Sequence, residues 1–424
     1  MFPRCPSAHH RSRICLSAAL LLAAISACSD GATAPTPITH LPRELTAAEQ
    51  QLIGGSNDFA FGLLREIDRR SAPDANLFIS PLSASMALGM TVTGAAGSTL
   101  DSMRAALGFA DMSIDDIDAS YKSLIELLRG LDPKVDFRVA NSIWYRQDFP
   151  AEQSFLDAGA KFFDARIQGM NFDDPASADA INAWVKESTN GKIDQIVGAI
   201  PPNMMMYLIN AIYFKGTWTL QFDKANTYIA AFHLSDGSTE QVPMMTREDT
   251  LPAVSTAEYT AAELPYGGGA YTMVVVVPQG NMTVDSLIAT LDTPTWQSLL
   301  GSLTMRSGEV DLPKFELSWD DSLNAPLEAL GMGIAFDPIR ADFSGISKNG
   351  GLYISGVRQK TYVKVDEEGT EAAAVTNVGV VPVMAKPPLV VADRPFLFAI
   401  RERLSGTILF VGKMMKPPAD EVSQ

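Results

Sequence analysis

The chain is expected to fold as a single α+β domain, helices packed on a large mixed β-sheet with smaller sheets. Three observations predict this. Helical periodicity dominates the first half of the chain, strand-like alternation dominates the second, and no regular βαβ alternation links them. The chain has 424 residues, of which 46% are hydrophobic and 19% charged, enough apolar material for one large core. No repeat or internal linker interrupts it, so the domain is read as residues 49–417, with 418–424 as a tail.

The N-terminus is a targeting segment. Arg4, Arg11 and Arg13 precede a short apolar run over 14–25, too short to span a bilayer in a mature protein. Ile25-Ser26-Ala27-Cys28 resembles a bacterial lipobox, which makes Cys28 the lipidated residue and 1–27 a lipoprotein-type signal peptide; an ordinary signal peptide cut near Ala27 is the alternative. Both readings predict export, with the outer membrane or cell surface as destination, or release outside the cell. Removing 1–27 takes away three Arg and no Asp or Glu, so the net charge of −16 becomes −19. Such a chain offers nothing to nucleic acid and has no polybasic membrane patch. Cys5 and Cys15 leave with the signal, so the mature chain cannot form an intramolecular disulfide. Residues 28–48, with Pro35, Pro37 and Pro42, read as a flexible tether.

The elements follow in order. Leu52, Phe59, Phe61, Leu63, Leu64 and Ile67 recur at helical spacing. Ser80-Pro81 is an N-cap followed by proline at the first helical position, and 84–94 is apolar nearly all round, as in a buried helix. A turn at 94–98, capped at Ser98, leads to a helix through Leu107. Further helices are expected over 120–131, 157–163 and 181–188, and a strand over 137–145. The strand over 205–214 is apolar on both faces, hence central in a sheet. Later strands are expected over 271–277, 309–317, 361–365, 396–402 and 406–414, with a short helix ending at Gly331.

The stretch over 365–384 combines conflicting signals. Acidic residues and Gly369 lead into the small residues Thr370, Ala372, Ala373 and Ala374, then a β-prone run closed by Pro382. In isolation it is a surface loop with an alanine run. In a strand, however, Thr370, Ala372, Ala374 and Thr376 share one face, and all four are small.

This stretch resembles the hinge and reactive centre loop of the serpins, on Glu367, Glu368, Gly369, Thr370, Glu371, Ala372, Ala373 and Ala374. The segment 76–83, Asn182-x-Trp184 through Gly191-Lys192-Ile193, the run 210–218, Arg394-Pro395-Phe396 and the run 406–412 match the same family. The resemblance implies an inhibitor of serine proteases, with cysteine proteases as the alternative target class, that carries an exposed reactive centre loop and acts as a suicide substrate. The protease cuts the loop and forms an acyl-enzyme; the freed loop then inserts into the main sheet and traps the protease. It also implies roles: Glu367, Gly369, Thr370, Ala372, Ala373 and Ala374 form the hinge, Ser80, Ser83 and Asn210 belong to the shutter where the sheet parts, and Trp218 to the breach where insertion starts. The scissile bond follows Val383 when counted from Gly369 and Met384 when counted back from Pro387-Pro388. Either residue suits an elastase- or chymotrypsin-like protease. Many family members carry a histidine where this chain has Gln359.

The expected partners are a target serine protease, held covalently, and a membrane through lipid on Cys28; the protein is read as a monomer with no cofactor, no metal and no enzymatic activity. Two alternatives come from other classes: a non-inhibitory serpin used as a binding module, and a surface solute-binding lipoprotein. A hydrolase is disfavoured. Only His40 and His233 remain after the signal, with no HExxH, Gly-x-Ser-x-Gly or phosphate-binding glycine pattern.

Overall fold

The structure, a computed structural model, describes residues 37–370 and 387–418. The chain opens with α1 (Ala47–Asp68), β1 (Leu77–Ile79), α2 (Pro81–Thr93), α3 (Gly97–Ala106) and α4 (Ile114–Gly130). It continues through β2 (Val135–Arg146), α5 (Gln153–Phe163), β3 (Ala165–Met170), α6 (Ala176–Ser188) and β4 (Met206–Thr217). Then come β5 (Tyr228–His233), β6 (Thr239–Ser255), β7 (Tyr259–Tyr266), β8 (Tyr271–Pro278), α7 (Val284–Thr290), α8 (Thr293–Ser302), β9 (Thr304–Pro313) and β10 (Phe315–Ser322). A four-residue helix α9 (Asn324–Leu327) precedes β11 (Arg358–Val365), β12 (Gly369–Thr370), β13 (Pro388–Val391), β14 (Phe396–Glu402) and β15 (Ile408–Met414).

The strands form two sheets. One has six strands in the order β10-β11-β12-β4-β2-β3 and is mixed, because β2 and β3 run parallel. The other follows β1-β15-β14-β8-β7-β6-β9-β13, with β5 also paired to β6. Its length comes from β6, a 17-residue strand that pairs with β9 over most of its course and with β7 at its end. Strand pairing joins the smaller sheets of the expected fold into one continuous path.

α2 is the buried helix expected. Ser80 caps it, its hydroxyl accepting from the Ser83 amide, and eleven of its thirteen residues are buried because the helix packs against β4, β15, α1 and α4. Four details differ from the sequence reading. α3 begins at Gly97 with Ala96 as N-cap and no side-chain cap, so Ser98 is inside the helix. α4 starts at Ile114, capped by Ser113, six residues before the expected 120. The span 309–317 is two strands in two sheets, since the chain crosses between them at Lys314, whose amide donates to Pro243. Finally, the stretch expected to be a tether is docked from Ile38 on: the Ile38 amide donates to Gly268, Arg403 donates to the Ile38 carbonyl at 2.9 Å, and Leu41 and Leu45 pack on the core. Arg43 closes this segment with a bidentate pair to the buried Glu49, at 2.8 and 2.5 Å, inside the capping box that starts α1. The segment before residue 37 lies outside the described residues.

One buried carboxyl stands out. Asp118 on α4 is 2% exposed and accepts a single 3.1 Å hydrogen bond from Thr93 on α2. Burial raises its pKa to about 7, aided by Asp115 and opposed by Thr93 and Lys161. The folded protein therefore holds this proton more tightly than the unfolded chain, where the group titrates near 4. Stability from this group is complete below about pH 4 and is lost as pH rises through about 7. Asp118→Asn is expected to be stabilising by roughly 3 kcal/mol at pH 8 and nearly neutral at pH 4. Urea midpoints across that range check this; a constant difference would contradict it.

Candidate functional site

The site is the division in the six-stranded sheet between β4 and β11. Only β12 lies between them. β11 reverses direction at Glu367-Glu368, with the Asp366 amide donating to the Gly369 carbonyl at 3.0 Å, and returns as β12. In this position Thr370 pairs with Val365 on one side and with Gly216 on the other, while Gly369 pairs with Thr217. Below Thr370, β4 and β11 exchange no hydrogen bonds among the described residues. Their separation is marked by a cavity of 320 Å³, walled by Leu208, Asn210 and Ile212 from β4, Gln359 and Thr361 from β11, and Ser83 from α2. The sheet is thus open along its middle and filled for two residues at the top.

Local sequence explains the filled end. Gly369 has φ +154°, and a Cβ there would meet the Gly216 carbonyl oxygen at 2.1 Å and the Thr217 Cα at 2.7 Å, so only glycine fits against β4. Thr370 is 3% exposed and its Oγ1 lies 2.7 Å from the Tyr266 hydroxyl. Tyr266 stacks on Trp218, with ring centroids 4.4 Å apart at 11°. Trp218 holds the reversal from outside it: its indole Nε1 donates to the Asp366 carbonyl at 2.9 Å and its amide donates to the Glu368 carbonyl at 2.9 Å. The Phe222 amide donates to the Glu367 carbonyl at 2.9 Å.

Charge fixes the two reversal side chains. Glu367 accepts from Thr227 Oγ1 at 2.8 Å and pairs with Lys314 Nζ at 3.1 Å. Burial pushes its pKa up, but its own amide, Thr227 and Lys314 outweigh burial and leave it below the ordinary value. Glu368 pairs with Lys224 at 2.6 Å. Asp366 goes the other way: burial raises it against the hydrogen bonds it accepts from the amides of Glu368 and Gly369.

At the open end, Gln359 bonds the Ser80 backbone twice. Its Nε2 donates to the Ser80 carbonyl at 2.8 Å and its Oε1 accepts from the Ser80 amide at 3.0 Å. Ser80 Oγ donates to the Leu409 carbonyl at 2.8 Å, and Thr361 Oγ1 donates to the Phe78 carbonyl. β11 is therefore tied to the start of α2 and to β1. The other wall meets α2 through longer polar contacts: Ser83 Oγ donates to the Asn210 carbonyl at 3.4 Å, a long bond, and Asn210 Nδ2 donates to Met86 Sδ at 3.8 Å. The Asn210 side chain donates to Asn141 at 2.7 Å, and its buried Oδ1 has no hydrogen-bond partner among the described residues.

The structure thus brings Ser80, Ser83, Asn210 and Gln359 together at one end of the opening, and Trp218, Glu367, Gly369 and Thr370 at the other. Ala372, Ala373, Ala374, Val383, Met384 and Cys28 lie outside the described residues. Sequence reasoning missed Tyr266, Thr227, Lys224 and Asn141. Asn141 alone gave a signal, as a lone amide inside an apolar strand; the other three owe their roles to distant pairing.

The main sheet is divided between β4 and β11, with the two-residue β12 seated at one end of the division. The chain belongs to the serpin family: the family model described as Serpin (serine protease inhibitor) matches residues 54–417. Glia-derived nexin of Rattus norvegicus is 34% identical over 361 residues, covering 82% of this chain and 89% of the nexin. Among solved structures, the thermophilic serpin tengpin in its native state matches with TM-score 0.79 and 34% identity, covering 90% of this chain and 97% of tengpin. Human thyroxine-binding globulin matches with TM-score 0.80 and 28% identity, covering 88% of this chain and 100% of the globulin.

Proposed function

We propose that this serpin inhibits an elastase- or chymotrypsin-like serine protease by loop cleavage followed by insertion of the loop between β4 and β11. The observation that carries the reading is the two-residue strand β12, seated at one end of an opening that no other described strand fills. Continuing its antiparallel register would set Ala372 against Phe214 and Val363, Ala374 against Ile212 and Thr361, and Thr376 against Asn210 and Gln359. Each inward residue is small, and Thr376 would bring a hydroxyl to the level of the unpartnered Asn210 Oδ1. A strand of about 15 residues spans on the order of 50 Å, so a protease esterified to its end would be carried the length of the sheet. The uncleaved state is then held kinetically above a more stable one. Cleavage follows Val383 or Met384. Export and lipidation at Cys28 belong to the same proposal and rest on the lipobox.

The test is denaturing electrophoresis of the chain from Ser29 onward, mixed with pancreatic elastase or chymotrypsin. A detergent-stable band near the summed mass and a C-terminal fragment starting at Met384 or Ala385 are the expected result. Melting of the cleaved chain decides the second reading, a serpin serving as a binding module, which the likeness to thyroxine-binding globulin supports. A large rise in melting temperature means insertion; no rise rejects it.

A further inference from the structure

The outer face of the opening carries a feature that loop fit alone does not require. Thr370 is paired with Gly216 on β4 and Val365 on β11. One step further along the same antiparallel register, the opposing residues are Lys215 on β4 and Lys364 on β11. Strand alternation sets their direction: Phe214, Gly216, Val363 and Val365 are buried, whereas Lys215 and Lys364 are half-buried on the outer face. Neither lysine forms an ion pair with a described residue. Lys192 stands beside them, its ammonium 4.6 Å above the Tyr362 ring and 3.5 Å from the Tyr362 hydroxyl. Its pKa is lowered by burial first, with Lys364 and Lys215 adding to the effect and Glu316 opposing it. Three cations are thus gathered at one level of the opening, flanked on the same face by Asp136, directly opposite Lys215 on β2 and held by Arg138, and by Glu316, directly opposite Lys364 on β10.

We propose that Lys215, Lys364 and Lys192 form a carboxylate receptor on the outer rim, which reads an acidic side chain on the first residue to enter beyond Thr370. This rests on the insertion reading above. The ligand chemistry is an extended strand with a carboxylate at that one register position. The chain's own Glu371 supplies it in cis; an acidic peptide annealing to the same edges supplies it in trans. The receptor does two things. A charge on the outer face fixes register, because a slip of one residue would turn the carboxylate inward against Phe214 and Tyr266. It also favours the first new pair of the ladder, before the rest of the strand has formed. The outward carboxylate therefore adds to the driving force for insertion.

The test has two arms. In cis, the number of inhibitor molecules consumed per protease trapped is measured at low and high salt. Glu371→Gln and the Lys215→Gln/Lys364→Gln double variant are each expected to raise it about tenfold at low salt, without adding when combined. The effect should shrink in high salt. Lys215→Arg/Lys364→Arg keeps the charge and is expected to behave as wild type, which separates charge from damage to the fold. In trans, an acetylated peptide with the sequence of residues 370–383, bearing Glu or Gln at its second position, is annealed to the uncleaved protein. The Glu peptide is expected to bind about tenfold faster, and to lose that advantage on the Lys215→Gln/Lys364→Gln variant. Glutamate dependence in trans with none in cis would overturn Glu371 as the ligand. Equal rates for both peptides together with no effect of Glu371→Gln, or a Glu effect indifferent to the lysines, would overturn the proposal. Because the peptide arm needs no cleavage, it stays informative even where cleaved wild-type chain gains no thermal stability and the inhibitory reading itself fails.

Discussion

Thr370→Arg is expected to abolish the detergent-stable protease complex while leaving loop cleavage at its wild-type rate. Thr370 is 3% exposed, and its hydroxyl meets Tyr266 beneath the Trp218–Tyr266 stack. A guanidinium in that place would be buried without a counter-ion, a cost of several kcal/mol. It would instead swing out and take Gly369 from its seat beside Gly216. On the proposed mechanism trapping is a race between insertion and hydrolysis of the acyl-enzyme, and a barrier raised by about 3 kcal/mol slows insertion about 100-fold. The protein would then be consumed as a substrate. Thr370→Ser keeps the hydroxyl and should trap nearly as well as wild type. Electrophoresis with an active-site titration of the surviving protease reads the partition directly, and circular dichroism of the uncleaved variants shows whether they fold. An arginine variant that folds and still traps its protease would mean that insertion does not begin at this position.

How much of this was legible in the chain depended on whether a residue's role is local. Ser80-Pro81 announces a capped helix start, and α2 begins there because the cap and the fixed proline φ are properties of adjacent residues. The apolar run ending at Phe214 announces a central strand for the same reason. By contrast, β5, β6 and β7 were not recognised. β6 contains Pro243 and Pro252 and a charged run, Arg247-Glu248-Asp249, and is a strand because β9 pairs along ten of its residues. Lys314 likewise reads as a surface lysine until the fold brings it to Glu367. The small inward residues after Gly369 are a pattern of one segment and could be found; the walls they would face, Tyr266 and Asn141, are assembled from strands far apart in sequence.

The two walls of the opening are also unequal, which sequence could not show. β11 is tied to the start of α2 and β1 through Gln359 and Thr361, whereas the hydrogen bonds from β4 to α2 are the longer ones from Ser83 to Asn210 and from Asn210 to Met86 Sδ. On the proposed insertion mechanism, the wall with the longer hydrogen bond is the one expected to yield, and β2 and β3 would travel with β4 through their ladders.

That asymmetry makes Gln359 the residue whose replacement should matter most to the resting state. As an amide it donates and accepts at once and does not titrate, so the clasp on Ser80 holds the same at every physiological pH. Gln359→His is expected to replace this with a pH-dependent clasp. Neutral imidazole can serve the Ser80 carbonyl or amide, but imidazolium has no acceptor for the buried amide. The folded state would hold the histidine pKa below the unfolded value of about 6.5, so stability is present above about pH 6.5 and is lost as pH falls through the lower folded value. A difference of roughly 2 kcal/mol between pH 8 and pH 5 is expected, against almost none from this position in wild type, on the scale of one buried unsatisfied donor. The matching functional readout is the rate at which uncleaved protein loses inhibitory activity on storage. For the variant it should rise about tenfold or more at pH 5, because the clasp that keeps β11 in place has opened. Equal pH profiles for variant and wild type would show that Gln359 contributes packing and not a polar lock, and the resting state would then depend on the Trp218 end of the sheet alone.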